Sequence, residues 1–480
     1  MKNFKRLLAL GLSVAMIAGL TACGSDNGST PASTNNESNS STNNESNSAS
    51  TDDGGSKTLY NEGETRTIRL ATWYDRYYDS THSDVFDNPN ATGSENDQMM
   101  FDIVKEVEEK YNVRIEWTNL TWTGIQDSLN TSVLAGTPDC DLYEVDFQFG
   151  IAAALNGFAV NLEDVLPADS DIFNDQLVMY PMDIGMDKGV YIFNRTLAEN
   201  VLANTYMLAY NKQMLDDAGL EDPNELYAKG EWTWDKWREY MLALTQDTDG
   251  DGVTDVYGYG SRYDFLMYLM LMSNGTGIAM SDTENLSSPE VGEVLDFVYN
   301  MYNVDRVAYP WNADDFDSNM LNYQDGKTAF WITAAWISAP NGYNDAALGF
   351  DIVWCPFPVG PSGNQETNAL KNVSSGSGYL IPVGVENPEL VYNVFYDLMN
   401  WYHGDTAMRD SDLTWWEDSA LTEENYKVMQ DTGARGGFDM WNALGVDFQW
   451  PQLLNGEVTA SQFAETHKQE VQDALDSFFK

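Results

Sequence analysis

Basic side chains are scarce in this 480-residue chain: 25 Lys and Arg stand against 75 Asp and Glu, a formal charge of −50. A field of that sign repels phosphate backbones and anionic headgroups, which argues against nucleic acid as a partner and against membrane binding through a basic patch. Histidine is rarer still, with His82, His403 and His467 widely separated. There is therefore no H-E-x-x-H zinc motif and little material for a Ser-His-Asp arrangement. No G-x-x-x-x-G-K-S/T loop and no G-x-S-x-G elbow occurs. Carboxylate-pair chemistry of the glycosidase kind stays open, because 75 acids make some close pair nearly certain and sequence does not locate it. Of three cysteines, Cys140 and Cys355 lie in apolar, strand-like stretches and read as free buried thiols, although two cysteines outside the cytoplasm could also pair. Long apolar runs are missing too: Leu7 to Leu20 falls short of the roughly 20 residues a membrane span needs.

That run follows Lys2, Lys5 and Arg6 and precedes Leu20-Thr21-Ala22-Cys23, a pattern that resembles a bacterial lipobox over residues 1–23. The thiol of Cys23 would be acylated, and the acyl chains would anchor the protein at the outer, extracytoplasmic face of the cell membrane. A plain signal peptide or a short buried helix is the blander alternative. Residues 24–58 are dominated by Ser, Thr, Asn and Gly, with the octapeptide Ser-Thr-Asn-Asn-Glu-Ser-Asn-Ser at 33–40 and again at 41–48. Such a stretch is a disordered tether with a reach of about 30 Å.

The remaining body is rich in aromatics, with 15 Trp and 26 Tyr. Thr67 to Trp73 alternates as a strand, Met100 to Tyr111 repeats at helical spacing, and Val113–Trp117 and Asp141–Val145 read as further strands. Helices are expected at 289–303, 387–401 and 460–478, the first two announced by Ser288-Pro289 and Asn387-Pro388. Strands alternating with helices predict an α/β fold with a largely parallel sheet. Ligands bind such sheets beyond the carboxyl ends of strands, which directs attention to Trp73–Asp75 and Glu144–Phe147.

Between residues 247 and 255, Asp247, Asp249, Asp251 and Asp255 fall at positions 1, 3, 5 and 9 of a loop with Gly252 at position 6 and Val253 offering its carbonyl at 7. That order resembles a calcium loop, except that Gly258 stands where the bidentate Glu belongs. Calcium here would be structural; a solvated acidic turn is the alternative.

Several motifs in order resemble the family 1 extracellular solute-binding proteins, the sugar-binding lipoproteins of ABC importers, distantly similar to maltose-binding protein. They are Leu134-Ala-Gly-Thr-Pro-Asp139, Tyr210-Asn-Lys212 with Ala218-Gly-Leu220, Trp232-Thr-Trp-Asp235, Asp325-Gly-Lys-Thr-Ala-Phe330 through Trp336, and Phe357-Pro358. The resemblance implies a two-lobed, type II periplasmic-binding-protein-like fold, with the ligand cleft between lobes joined by hinge strands. Lobe one would comprise 60–195 and 350–405, lobe two 200–345 and 410–480. It also implies a monomer without enzymatic activity that binds carbohydrate and meets ABC transporter permease subunits. The rival expectations are a peptide or other polar solute as ligand, or a tethered glycoside-active enzyme.

A sugar needs flat aromatic platforms and carboxylates that accept pairs of hydroxyl hydrogen bonds. On the resemblance, Trp336 is the stacking ring, with packing against the hinge as its alternative. Tyr210 either faces the cleft or fills the core, and Trp441 matches a C-terminal aromatic lining the cleft. Trp73, Asp75, Glu144 and Asp146 end strands on the expected side. Trp232, Trp234 and Trp237 are expected to be structural, with Thr233 capping their helix.

Overall fold

The computed structural model describes residues 63–74, 78–182, 189–195, 201–312, 315–411 and 413–479; the signal segment, Cys23, the tether and Asp75 lie outside the described residues. Alternating apolar residues build β1 (Arg66–Thr72) and β2 (Val113–Asn119), which pair in parallel. Between them runs helix α1 (Glu95–Tyr111), whose Ser94 and Asp97 close a reciprocal cap. Next come β3 (Leu142–Asp146), β4 (Met179–Pro181) and β5 (Phe193–Arg195), then β6 (Met207–Asn211), β7 (Tyr257–Tyr259), β8 (Thr328–Thr333) and β9 (Ile352–Cys355). Three short strands complete the set: β10 (Lys371–Asn372), β11 (Ser377–Leu380) and β12 (Gly436–Gly437).

These strands form two principal sheets, one per lobe. The first has the order β2-β1-β3-β11-β5-β4 and the second β7-β8-β6-β9, with β10 and β12 as a separate parallel pair. The first sheet is parallel only over β1, β2 and β3; β11, β5 and β4 run antiparallel. In the second, β6 is antiparallel to both neighbours and only β7 and β8 are parallel. The expectation of a largely parallel sheet thus holds for half of one lobe, since alternation reports which face is apolar and not which way a neighbour runs.

The chain crosses between sheets from β5 to β6, from β9 to β11, and after the helix Pro388–Met399. That helix covers the first sheet through Phe395, whose ring meets Trp117, Phe193 and Tyr379. β9 bonds to β6, so Ile352–Cys355, grouped from sequence with lobe one, sits in the second sheet and packs with Met207 and Trp331; return to the first sheet is made by β11.

Helix starts follow their caps. Ser288 accepts the Val291 amide ahead of Pro289–Asn303, and Asn387 accepts the Leu390 amide. Thr233 caps Trp234–Leu244, and Trp232, Trp234 and Trp237 are buried in the second lobe's core. Cys140 and Cys355 are free and buried, burial pushing the Cys140 thiol up to about 12 and that of Cys355 well above its ordinary range. Among the described residues no helix is long and apolar enough to cross a membrane.

Candidate functional site

A cleft of about 1500 Å³ opens between the lobes. Its first wall is the carboxyl end of β3 with the neighbouring end of β1. Glu144 is buried there and accepts the hydroxyls of Thr72 (2.9 Å) and Tyr74 (3.0 Å). Two residues on, Asp146 caps the helix Phe147–Leu155 by accepting the Gln148 amide at 2.9 Å, and takes a second bond from Trp122 Nε1 at 3.1 Å. Burial pushes the Asp146 carboxyl up to about 6; the bonds from Gln148 and Trp122 oppose this, while Asp264 adds to it from the other wall. Trp122 remains 40% exposed, edge-on to Phe149 at 5.4 Å, and Trp73 meets Tyr74 edge-on at 5.9 Å. Two indoles and two carboxylates therefore share this wall.

The second wall is the start of the helix Tyr263–Ser273. Arg262 and Asp264 form a two-point ion pair, its Nε bond 2.9 Å long, and the guanidinium lies 4.4 Å above the Phe265 ring. Phe265 stacks on Tyr206 with centroids 4.5 Å apart, and Trp336 meets it edge-on at 6.2 Å. Burial, then the Asp264 charge, pushes the Tyr206 hydroxyl well above its ordinary value. Trp336 reaches the cleft from the short helix Ala335–Ser338 that directly follows β8. Farther along, Trp415 and Trp416 cross edge to face at 4.7 Å, and Trp415 Nε1 donates to Asn341.

Of the residues singled out from sequence, the structure brings Trp73, Glu144, Asp146 and Trp336 to the cleft. Tyr210 is not among the lining residues: both faces of β6 are covered, all five of its residues are buried, and Tyr210 is 1% exposed beside Phe330. Trp441 also misses the lining, lying one ring behind it against Tyr268, Phe448 and Trp450. The stretch Trp73–Asp75 pointed to from sequence contains Tyr74, to which no role was given; sequence reasoning missed Trp122, Tyr206, Arg262, Asp264 and Phe265. For the last three a signal existed: Arg262 and Asp264 are the only charges beside a run, Phe265 to Met272, that is apolar apart from Tyr268.

No residue of the acidic loop lines this cleft. The carboxylates of Asp247, Asp249 and Asp255 come within 4.8 Å of one another, all exposed, whereas Asp251 stands outside that group and accepts the Val253 amide at 2.8 Å. Hydrogen bonds from the Thr248 hydroxyl and amide hold Asp255 below its usual range. Acidic oxygens grouped this way suit a hard divalent cation.

Comparison with known proteins agrees with this architecture. Residues 102–411 match the model for the bacterial extracellular solute-binding protein family. The diacetylchitobiose-binding protein DasA of Streptomyces coelicolor is 20% identical over 302 residues, 62% of this chain and 65% of its own length. The match thus spans less than two thirds of that relative. An ABC substrate-binding protein of Listeria monocytogenes in complex with cycloalternan superposes with a TM-score of 0.59 at 15% identity, covering 86% of this chain and 100% of the other. UgpB of Mycobacterium tuberculosis in complex with glycerophosphocholine gives 0.58 at 15%, covering 86% and 99%. The two superpositions show a shared two-lobed fold, and the match over residues 102–411 makes this chain a member of the bacterial extracellular solute-binding proteins.

Proposed function

We propose that this protein captures a carbohydrate, an oligosaccharide of several units, and delivers it to the permease of an ABC importer without altering it. The observation that carries this reading is the grouping of three indoles that line one cleft, Trp122 exposed and Trp73 and Trp336 half-buried, with hydrogen-bonded carboxylates (Glu144, Asp146). Indoles stack on the CH faces of a pyranose, and carboxylates accept its hydroxyls. The volume of about 1500 Å³ exceeds the roughly 300–1000 Å³ of small-molecule pockets, which favours a chain of sugars over one ring. Closure would be a population shift, since a ligand touches both walls only when the lobes approach. The relatives that bind diacetylchitobiose and cycloalternan support the substrate class.

In the same reading Cys23 is the acylated residue, residues 24–58 tether a monomer to the outer face of the membrane, and calcium closes the loop at Asp247, Asp249 and Asp255. Calorimetric titration with maltotriose, diacetylchitobiose, glycerophosphocholine and short peptides tests the ligand class. Binding of a glycan, weakened at least about tenfold in Trp336→Ala, is the expected result. Binding only of peptides, or release of reducing ends from polysaccharide, would overturn it.

A further inference from the structure

Tyr268 stands on the helix Tyr263–Ser273, lines the cleft and is 3% exposed. Its hydroxyl oxygen takes a hydrogen bond from the side-chain amide of Asn442 at 3.2 Å. A third group decides which end of that amide faces Tyr268. The same Nδ2 donates to the Ser374 carbonyl at 3.1 Å, and a backbone carbonyl only accepts, so the nitrogen and not the oxygen lies on this side. With its oxygen accepting from Asn442, the phenol has to give its own proton elsewhere.

Among the described residues no group accepts that proton. Tyr206 stacks on the Tyr268 ring with centroids 6.1 Å apart, and the Asp264 and Asp146 carboxylates act on the hydroxyl through charge, their bonds being to Arg262 and to Gln148 and Trp122. Burial, then the Asp264 charge, pushes the Tyr268 hydroxyl well above its ordinary range, so it keeps its proton and remains a donor at neutral pH. A buried donor that nothing receives is costly, and the open side of this one is the cleft.

We propose that Tyr268 is a specificity-determining contact of the cleft, its hydroxyl donating a hydrogen bond to an oxygen of the bound glycan. The inference rests on the carbohydrate reading given above and adds a polarity to it. Ionised Glu144 and Asp146 on the first wall only accept, so they call for sugar hydroxyls. Tyr268 on the second wall calls for an acceptor: an acetamido carbonyl, or an oxygen of the ring or the linkage. The ligand is then held by acceptors on one lobe and a donor on the other, which fixes the edge it turns to each.

The test is affinity for maltotriose, mannotriose and diacetylchitobiose by calorimetric titration, with the ligand-free thermal midpoint, in wild type, Tyr268→Phe and Asn442→Ala. Tyr268→Phe keeps the ring and removes only the donor, and is expected to weaken binding of at least one of these sugars about fivefold, the worth of one neutral hydrogen bond. A loss confined to diacetylchitobiose identifies the acetamido carbonyl as the acceptor; a loss shared with maltotriose or mannotriose identifies a ring or linkage oxygen. Asn442→Ala leaves the phenol in place with its proton able to turn away, and should cost less than Tyr268→Phe. Unchanged affinities in Tyr268→Phe, whatever the midpoint does, overturn the proposal, because the hydroxyl then serves Asn442 alone. A greater loss in Asn442→Ala than in Tyr268→Phe also overturns it, by placing the effect in packing behind the wall. If none of the three sugars binds wild type, the carbohydrate reading fails and this contact fails with it.

Discussion

The two walls of the cleft reach comparable chemistry by different routes. On the first, each polar group is fixed by backbone geometry: Glu144 and Asp146 end a strand, and Asp146 is locked further as the cap of the helix that follows. On the second, the groups are fixed by one another, since Arg262 has no capping bond, pairs with Asp264 two residues on, and lies over Phe265, which stacks in turn on Tyr206. A wall held by strand ends tolerates loss of one side chain, because the backbone still points its neighbours correctly. A wall held by mutual contacts does not.

The largest expected effect follows. Arg262→Ala leaves Asp264, only 16% exposed, without its guanidinium and uncovers one face of Phe265. Removing one partner of a largely buried pair costs the fold about 3 kcal/mol at the low end, and because both residues line the cleft, ligand affinity should fall further than in any other variant named here. Trp336→Ala removes an indole and its edge contact with Phe265, and should cost at least about tenfold. Asp146→Asn on the other wall keeps an effective helix cap and should lower affinity only severalfold. Equal losses for Arg262→Ala and Asp146→Asn in calorimetric titration would erase the distinction between the walls. Tyr210→Phe should leave affinity unchanged, because that side chain packs the second lobe's core.

The same distinction explains what could be read from sequence. The first wall was legible because a strand end is a local feature: alternation stops at Thr72, and Asp146 precedes an apolar helix. The second was legible only in part: Trp336 was marked by the motif ahead of it, whereas Phe265 to Met272 is apolar apart from Tyr268, so periodicity shows burial without showing which end meets a cleft. Tyr210 was placed in the core by the covering of both faces of β6, and Trp441 behind Tyr268 by tertiary packing that no local pattern carries. Helices after Ser288 and Asn387 were legible for the opposite reason, their caps lying within three residues of the bonds they make.

Acid should strengthen the fold before weakening it. Asp439 is fully buried, and that burial pushes its carboxyl up to about 6 against the pull of the Ile278, Ala279 and Trp441 amides. Asp345, bonded to the Tyr323 hydroxyl at 2.6 Å, and Asp146 stand at about 6 for the same leading cause. A raised native value means that the folded chain binds a proton while the unfolded chain is still ionised. Stability is therefore gained as pH falls through about 6, is complete near the ordinary carboxylate value of about 4, and is lost as pH rises through about 6. The thermal midpoint should rise between pH 7.5 and 5, and Asp439→Asn should flatten part of that rise. A midpoint that falls steadily over that interval would refute the assignment. In Asp146→Asn, the cleft's share of the rise should vanish together with any change of affinity near pH 6.

The smallest effect belongs to the acidic loop, none of whose residues lines the cleft. Asp247 already accepts the Gly250 and Gly252 amides, and Asp255 the Thr248 amide, so the loop is shaped by bonds within itself. Its three gathered carboxylates still repel one another, and a divalent cation would replace that repulsion with attraction. The loop joins the helix Trp234–Leu244 to β7, secured by the pairing of Gln246 with Val256, and none of its residues lines the cleft. Removing calcium with a chelator should therefore lower the thermal midpoint by about 2–4 °C and leave the order of ligand affinities unchanged. Asp247→Asn with Asp249→Asn should abolish the chelator's effect. A higher midpoint in that double variant, with no response to chelator in the wild type, would mean that the loop holds only its own charge. A chelator that instead altered ligand selectivity would mean that the two walls are not the whole of the site.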